Sequence, residues 1–173
     1  MIITLTEAQA LCPGVDDETL QAQLDAIECV IRAYTNNNFQ VREARFAAAS
    51  RDLYLEGESP YIRDGDTIQI SESGVNDGLY VVAYSVAGRM QVDRVLYEAP
   101  HNLVTKVEYP AAVKAVARNL LKWETTNRDK VGVKSETLSR YSVTYYDQDA
   151  SNQVMGYPVS LLGGLKPYMK ARF

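Results

Sequence analysis

Residues 67–92 read TIQISESGVNDGLYVVAYSVAGRMQV, and this stretch contains three segments in which apolar and polar side chains alternate. A period of two is typical of a strand that buries one face. The segments SESGVNDG and VAGR that separate them are rich in residues that form tight turns. Similar sequence extends from residue 46 to about residue 109, which predicts a small antiparallel sheet of about four to six strands.

Helical periodicity lies on both sides of this strand-rich block. Before it, residues 16–34 place apolar side chains at spacings of three and four, and Asp16 or Asp17 can cap the helix. After it, Pro110 suits a first helical turn, and the helical spacing continues to about Asn127. The apolar stripes of these two helices are wide enough for the helices to pack together.

This order of elements predicts an α+β fold. We expect a small helical bundle core, formed by residues 1–45 and 108–173, with an inserted antiparallel β-sheet module at residues 46–107. The helical core should end in a short C-terminal strand, at residues 140–146, and a short helix. One core with an elaborated insertion fits the length of 173 residues.

The composition favours a folded protein without a strong nucleic-acid surface. Hydrophobic residues make up 46% and charged residues 23%, so the chain can bury a sizeable core. The net charge of −4 argues against a strong nucleic-acid binder. The aromatic and basic stretches SRYSVTYY and LKPYMKARF leave a base-stacking surface as the minor alternative. The first residues do not resemble a signal peptide, and we expect a cytoplasmic origin and no membrane partner.

Sequence patterns for catalysis and for bound cofactors are weak. Cys12, Cys29 and the single His101 cannot complete a zinc site, and Asp64 and Asp66 lack the spacing of a calcium loop. No glycine-rich phosphate motif occurs, and a triad through His101 has no nucleophile motif beside it. A carboxylate pair for glycoside hydrolysis stays open, since the separation of two carboxylates is a tertiary property. We therefore expect no catalytic residue, no metal ion and no cofactor.

The C-terminal tail is more apolar than most chain ends. It reads GYPVSLLGGLKPYMKARF at residues 156–173, whereas unanchored termini are commonly polar and frayed. Tyrosine is also abundant, with 12 residues against 3 phenylalanines, and tyrosine suits half-wet contact surfaces. We predict a protein interface that comprises Tyr157, Leu161, Leu162, Leu165, Tyr168, Lys170, Arg172 and Phe173, with Tyr141 and Tyr145 from the preceding strand. The opposing interpretation is a terminal helix that docks wholly inside its own fold.

Three segments of the chain carry a family resemblance. They are DDETLQAQLDAIECVIRAYTNNNF at residues 16–39, YPAAVKAVARNLLKWE at residues 109–124 with its continuation at residues 131–146, and the tail at residues 156–173. In this order they resemble the head–tail connector proteins, also called head completion or adaptor proteins, of long-tailed bacteriophages and prophages. The segments cover about half of the chain. The strand-rich insertion departs from the minimal family members.

The resemblance implies a structural protein of the virion with no enzymatic activity. Its helical core would form a homo-oligomeric ring, expected to be twelvefold, beneath the portal protein. The ring would extend the DNA channel, which DNA crosses without specific binding, and it would offer a platform to a tail-side completion or stopper protein. The protein would be located in the virion neck, and in the host cytoplasm during assembly. Residues 168–173 would reach the portal or the neighbouring subunit, where their cations pair with acidic groups.

Two other hypotheses stay open. The first is a β-module tail or baseplate protein that recognises another protein or a glycan. The second is a hydrolase whose carboxylates are not recognisable in the sequence. Under the connector hypothesis, the loops SESGVNDG or DQDASNQ are candidates to face the DNA channel, and the strand at residues 140–146 is a candidate to pair across subunits.

Overall fold

The computed structural model describes residues 1–127, 135–138, 141–144 and 152–171. The chain divides into two compact units. The barrel unit comprises Met1 and Asn38–Tyr109, and the helical unit comprises Ile2–Asn37 and Pro110–Phe173.

Six antiparallel strands of the barrel unit close into a barrel. They are β1 (Gln40–Arg51), β2 (Tyr54–Glu56), β3 (Thr67–Ser71), β4 (Gly78–Val86), β5 (Arg89–Val92) and β6 (Ala99–Val107). Their order around the barrel is β1–β2–β5–β4–β3–β6, and β6 pairs with β1 to close it. Because each strand has two neighbours, closure removes the open edges that an isolated sheet would present.

The barrel interior is an apolar core made by alternate residues of the strands. Ile68 and Ile70 of β3 are almost fully buried, as are Met90 of β5 and Val104 of β6. The core also contains Ala44, Ala48, Leu55, Ile62, Tyr80, Val82, Val92 and Leu96. Apolar side chains from the inward faces of the strands, with Ile62 and Leu96 from two connections, therefore fill the barrel, as is usual for small barrels.

The predicted fold class is wrong, because a closed six-strand barrel dominates the molecule in place of a helical bundle core with an inserted sheet. The strand predicted at residues 67–71 is β3. Barrel closure, however, joins Arg45 of β1 to Thr105 of β6, which lie 60 residues apart in the chain. Alternation within a strand shows that one face is buried, but it does not identify the partner strand. In addition, β1 begins at Gln40, inside the region assigned to the helical core.

The helical unit contains α1 (Leu5–Leu11), α2 (Asp17–Thr35), α3 (Ala111–Asn127), α4 (Val159–Leu162) and a 3₁₀ helix (Gly163–Tyr168). Two short hairpins accompany them: β7 (Ser135–Leu138) with β8 (Tyr141–Thr144), and β9 (Gln153–Val154) with β10 (Tyr157–Pro158). Asp16 caps α2, since its carboxylate accepts a hydrogen bond from the Thr19 backbone N–H at 2.9 Å. Within the described ranges, no helix combines the length and the apolarity that a membrane span requires.

The core of the helical unit consists of the apolar stripes of α2 and α3. Leu24 and Ile31 of α2 and Leu120 and Leu121 of α3 have no exposed surface. Leu162, in α4, is equally buried. The spacing of three and four that predicted the two long helices is therefore the spacing of their buried positions.

Candidate functional site

Three connections of the barrel meet at one of its ends. They are the β1–β2 turn (residues 52–53), the β3–β4 loop (residues 72–77) and the β5–β6 loop (residues 93–98). The β5–β6 loop leads into β6 beside the last residues of β1, where Ser50 lies opposite Ala99. Loops that a rigid sheet positions in this way commonly carry the binding function of a fold.

Each of these connections exposes large apolar side chains. Leu53 is 53% exposed, Val75 57%, Val95 68% and Tyr97 67%. We call these four residues the loop-end rim. They are four of the nine large apolar residues that are exposed within the described ranges, so exposed apolar surface is concentrated at this end. Such concentration is a mark of interaction sites, whereas single exposed apolar residues are common on any surface.

A buried polar network holds the two loops in place beneath the rim. Asn76 Nδ2 donates to the Tyr97 carbonyl oxygen at 2.9 Å, and the Tyr97 backbone N–H donates to Asn76 Oδ1 at 2.8 Å. Asn76 also donates to Ser50 Oγ and to Asn102 Oδ1, each at 3.1 Å. Ser50, Asn76 and Asn102 are all at least 99% buried. A satisfied buried network of this kind fixes one loop conformation.

Further contacts continue the network into the barrel wall. Asn102 Nδ2 donates to the Ala48 carbonyl oxygen at 3.1 Å. The guanidinium of Arg94, in the β5–β6 loop, lies 4.6 Å from the centre of the Tyr80 ring, which is a cation–π distance. Burial raises the pKa of the Tyr80 phenol above its ordinary value, while the charge of Arg94 acts in the opposite direction.

The β1–β2 turn is conformationally costly. Asp52 has φ 48° and Leu53 has φ 70°, and both values lie in the left-handed region. Aspartate tolerates this region, but a leucine there costs about 1 kcal/mol relative to ordinary backbone. A two-residue hairpin turn of this type favours glycine at its second position. The presence of an exposed leucine at this strained position therefore points to a role for its side chain.

The surroundings of the rim are acidic. The turn and the two loops together contain five exposed carboxylates and one arginine. The carboxylates are Asp52, Glu72, Asp77, Asp93 and Glu98. The rim thus presents apolar groups among exposed carboxylates, and this combination favours a partner surface that carries cations.

Several residues of the predicted C-terminal interface lie inside the helical unit. Tyr157, Leu162 and Leu165 are buried, and the Tyr157 ring packs on Trp123 with 5.4 Å between ring centres. Leu161 is half-buried. As the chain is folded, this part of the tail contributes to the core, which leaves little of it for a partner to contact.

The end of the tail is fastened to the C-terminus of α2. The Lys170 backbone N–H donates to the Thr35 carbonyl oxygen at 2.8 Å. Asn36 Nδ2 donates to the Ala171 carbonyl oxygen at 2.9 Å, and Asn37 Nδ2 donates to that of Tyr168 at 3.1 Å. The asparagines that end the helix therefore also hold the tail.

This anchoring leaves a basic face on the tail. Lys166 and Lys170 are exposed, and Met169 is 50% exposed beside them. We call these three residues the C-terminal face. Tyr168 is half-buried. No carboxylate occurs in the sequence of residues 152–171, so the segment that carries this face is purely cationic.

Four predicted interface residues remain: Tyr141, Tyr145, Arg172 and Phe173. Tyr141 lies in β8, which pairs with β7 through Leu138 opposite Tyr141. Tyr145, Arg172 and Phe173 lie outside the described residues. Their role as interface residues stays a prediction.

Sequence reasoning named the loop SESGVNDG as a candidate to face the DNA channel, but it did not single out the apolar residues of the loop-end rim. The signal available was weak: Val75 stands alone in the polar segment SESGVNDG, and Val95 and Tyr97 stand in the short segment DRVLYEA. Single apolar residues in loops are frequent, and only the buried partners of Asn76 show that these loops are fixed at one end of the barrel.

The titratable residues considered for chemistry are engaged in the fold or exposed singly. Asp66 accepts a hydrogen bond from Lys106 Nζ at 2.7 Å, and Asp64 accepts one from the Ser85 backbone N–H at 2.9 Å. His101 is exposed and lies 3.8 Å from Glu72. Among the residues that the structure places, no three His, Cys, Asp or Glu side chains are grouped so that they could hold a metal ion.

The fold and these surfaces define a small β-barrel protein with a helical unit, an exposed apolar rim among carboxylates and an exposed basic face. A comparison of the chain with protein-family models and with curated proteins finds no match.

Proposed function

We propose that the protein is a structural head–tail adaptor of a bacteriophage particle and that it carries out no chemistry. In this role it docks as a homo-oligomeric ring under the portal protein, extends the DNA channel and provides a platform for the tail-side completion protein. The observation that carries the proposal is the loop-end rim, which displays Leu53, Val75, Val95 and Tyr97 on connections held by a buried polar network.

Rigid, exposed apolar loops suit a protein whose task is to be covered by others. Apolar and aromatic side chains supply the contact area at the centre of protein interfaces. Loops that are already fixed by Asn76 and Arg94 lose little conformational freedom when a partner binds. In an isolated monomer these exposed apolar side chains would be of no advantage, because exposed apolar groups promote aggregation.

The resemblance to head–tail connectors supports the specific role. The resembling segments correspond to α2, to α3 and to the tail that folds on them. In the helical unit these elements bury one another and leave Lys166, Met169 and Lys170 exposed. The barrel lies between α2 and α3 in the sequence, where the resemblance is absent, and it would be an elaboration of the connector frame.

Binding to a portal protein from the same genome as this chain tests the proposal. Sedimentation velocity of the purified chain, mixed with that portal protein, should show a complex in which several copies accompany each portal ring. The portal protein of an unrelated phage is the matched control and should leave the chain uncomplexed. If the cognate mixture sediments as its separate components at concentrations well above micromolar, the adaptor role is wrong.

A second candidate function is glycan recognition by the barrel wall, as in a tail or baseplate module. Tyr54 and Tyr84 form an outward pair with their hydroxyl oxygens 3.0 Å apart and their rings 6.3 Å apart. Exposed tyrosines combine an apolar face with a polar tip, which suits ligands of mixed character. Binding to a glycan array that is lost in the Tyr84→Ala variant would favour this function over the adaptor role.

A further inference from the structure

The two exposed surfaces carry opposite charge, and both expose apolar side chains: four residues at the loop-end rim and Met169 at the C-terminal face. The loop-end rim belongs to the barrel unit and has five exposed carboxylates in its connections, among them Glu72 and Glu98. The C-terminal face belongs to the helical unit and carries Lys166 and Lys170 around the exposed Met169. Both surfaces are solvent-exposed in the single chain, so each is open to a partner.

We infer that the occupant of the loop-end rim is a second copy of this chain, which docks through its C-terminal face. The inference rests on the proposed function and deepens it, because it names the two surfaces that form the subunit contact of the ring. Met169 would lie among the apolar rim residues, and Lys166 and Lys170 would lie against the carboxylates that surround them.

A contact between two different surfaces of the same chain is heterologous. Such a contact leaves one free rim and one free C-terminal face on every pair, so it propagates, and it forms the ring of the proposed function where the rotation between subunits closes. The opposite charges of the two faces favour this head-to-tail arrangement over rim-to-rim and face-to-face pairing, in which like charges would meet. The charge pattern therefore determines which surface pairs with which, in addition to attracting the two chains to each other.

Charge reversal on each surface tests the inference. The rim variant is Glu72→Lys with Glu98→Lys, and the face variant is Lys166→Glu with Lys170→Glu. All four side chains are exposed, so the fold should tolerate both variants. By sedimentation velocity over a concentration series, each variant alone should self-associate roughly tenfold more weakly than the natural chain, since the changed residues of each variant then meet residues of their own charge.

An equimolar mixture of the two variants provides the decisive measurement. The lysine-bearing rim of one variant then meets the glutamate-bearing face of the other, and the unchanged surfaces of the two variants also meet with opposite charge. Alternating assembly should restore association to near the natural level. The matched controls are Glu43→Lys with Glu108→Lys and Lys114→Glu with Lys122→Glu, which change exposed charges elsewhere and should leave association unchanged.

The possible outcomes separate this inference from the adaptor role. If the natural chain self-associates and the mixture of variants does not recover, or if the control variants weaken association equally, another surface forms the subunit contact and the inference is wrong. If the natural chain fails to self-associate, both alone and with its portal protein, the inference is also wrong. Portal binding by the natural chain, measured separately, would still support the adaptor role in either case.

Discussion

The barrel unit and the helical unit use buried polar side chains differently. Among the described residues, the helical unit buries Glu28 and Thr35, and each bonds to a backbone group: Glu28 accepts from the Ile2 N–H, and Thr35 donates to the Ile31 carbonyl oxygen. The barrel unit buries five polar side chains, and three of these bond to one another: Ser50, Asn76 and Asn102.

This difference follows from what each unit must hold in place. In the helical unit the apolar stripes of α2 and α3 determine the packing, and the two buried polar side chains bond only to backbone groups, Glu28 to that of Ile2 and Thr35 to that of Ile31. In the barrel unit the strands are fixed by closure, but the loops at one end need their own tether. The buried amides of Asn76 and Asn102 supply it. A polar network inside a small apolar barrel thus marks the end at which loop geometry matters.

Truncation of the helical core should produce the largest loss of stability. Leu120 of α3 has no exposed surface, so Leu120→Ala removes buried methyl groups and leaves a cavity. We expect the free energy of unfolding to fall by about 3 to 4 kcal/mol, measured by urea denaturation. Asn119→Ala, on the exposed side of the same helix, should change it by less than about 0.5 kcal/mol. Equal effects at the two positions would contradict the placement of Leu120.

Removal of the Asn76 side chain, which holds the β5–β6 loop, should lower the free energy of unfolding by somewhat less than Leu120→Ala does. It should also change the conformation of the loop-end rim. Asn76→Ala deletes the donor and the acceptor that hold Tyr97, and it leaves buried groups of Ser50 and Asn102 with fewer partners. We expect a loss of about 2 to 3 kcal/mol. Hydrogen exchange of the β5–β6 loop should accelerate more than that of α3.

The matched control for the tether is Asn38→Ala, which replaces an exposed asparagine of the same unit. It should leave both the stability and the loop exchange nearly unchanged. Fast exchange in the β5–β6 loop of the natural chain would show that the network does not fix this loop.

The helical elements were predictable from sequence because their signals are local. Leu20, Leu24, Ile27 and Ile31 recur at helical spacing, and Asp16 stands directly before them, so periodicity and cap agree within one segment. The strand β3 was predictable for the same reason, since its alternation lies within five residues.

Barrel closure and the loop-end rim were not predictable because they depend on distant pairs. The partner of β1 is β6, and the partners of Asn76 are Ser50 and Asn102, each 26 residues away. A period-two pattern is compatible with an open sheet and with a closed barrel alike. The tail is apolar in the sequence itself, but no local pattern shows that the side chains of Asn36 and Asn37 hold it in place from more than 130 residues away.

Relief of the strained β1–β2 turn should stabilise the barrel unit, by an amount smaller than the losses expected for Leu120→Ala and Asn76→Ala. Leu53 has φ 70° and an exposed side chain, so Leu53→Gly removes the left-handed strain without opening a cavity. We expect a gain of about 0.5 to 1 kcal/mol in the free energy of unfolding. The same variant should weaken self-association, because it deletes a rim side chain. If the variant is more stable and associates as well as the natural chain, Leu53 does not contribute to the contact made by the rim.

The smallest expected effect concerns the helical unit and depends on pH. The hydrogen bond from the Thr19 backbone N–H, followed by that from the Thr19 side chain, lowers the pKa of Asp16 below its ordinary value of 3.8. The ionised carboxylate is therefore favoured in the folded state, so its contribution is fully present above pH 3.8 and is lost as the pH falls through the lower folded value. Asp16→Asn keeps an acceptor for the Thr19 N–H but does not titrate.

The stability difference between the natural chain and Asp16→Asn, measured by urea denaturation, should accordingly be constant from about pH 5 to 7, a range that lies above the ordinary aspartate pKa of 3.8. It should then shift in favour of the variant as the pH is lowered further. Because Asp16 lies at the surface, added salt should reduce the charge-dependent part of this difference. A difference that stays constant through the acidic range would mean that the carboxylate has the same pKa in the folded and unfolded chain, and that the cap acts only through its hydrogen-bond geometry.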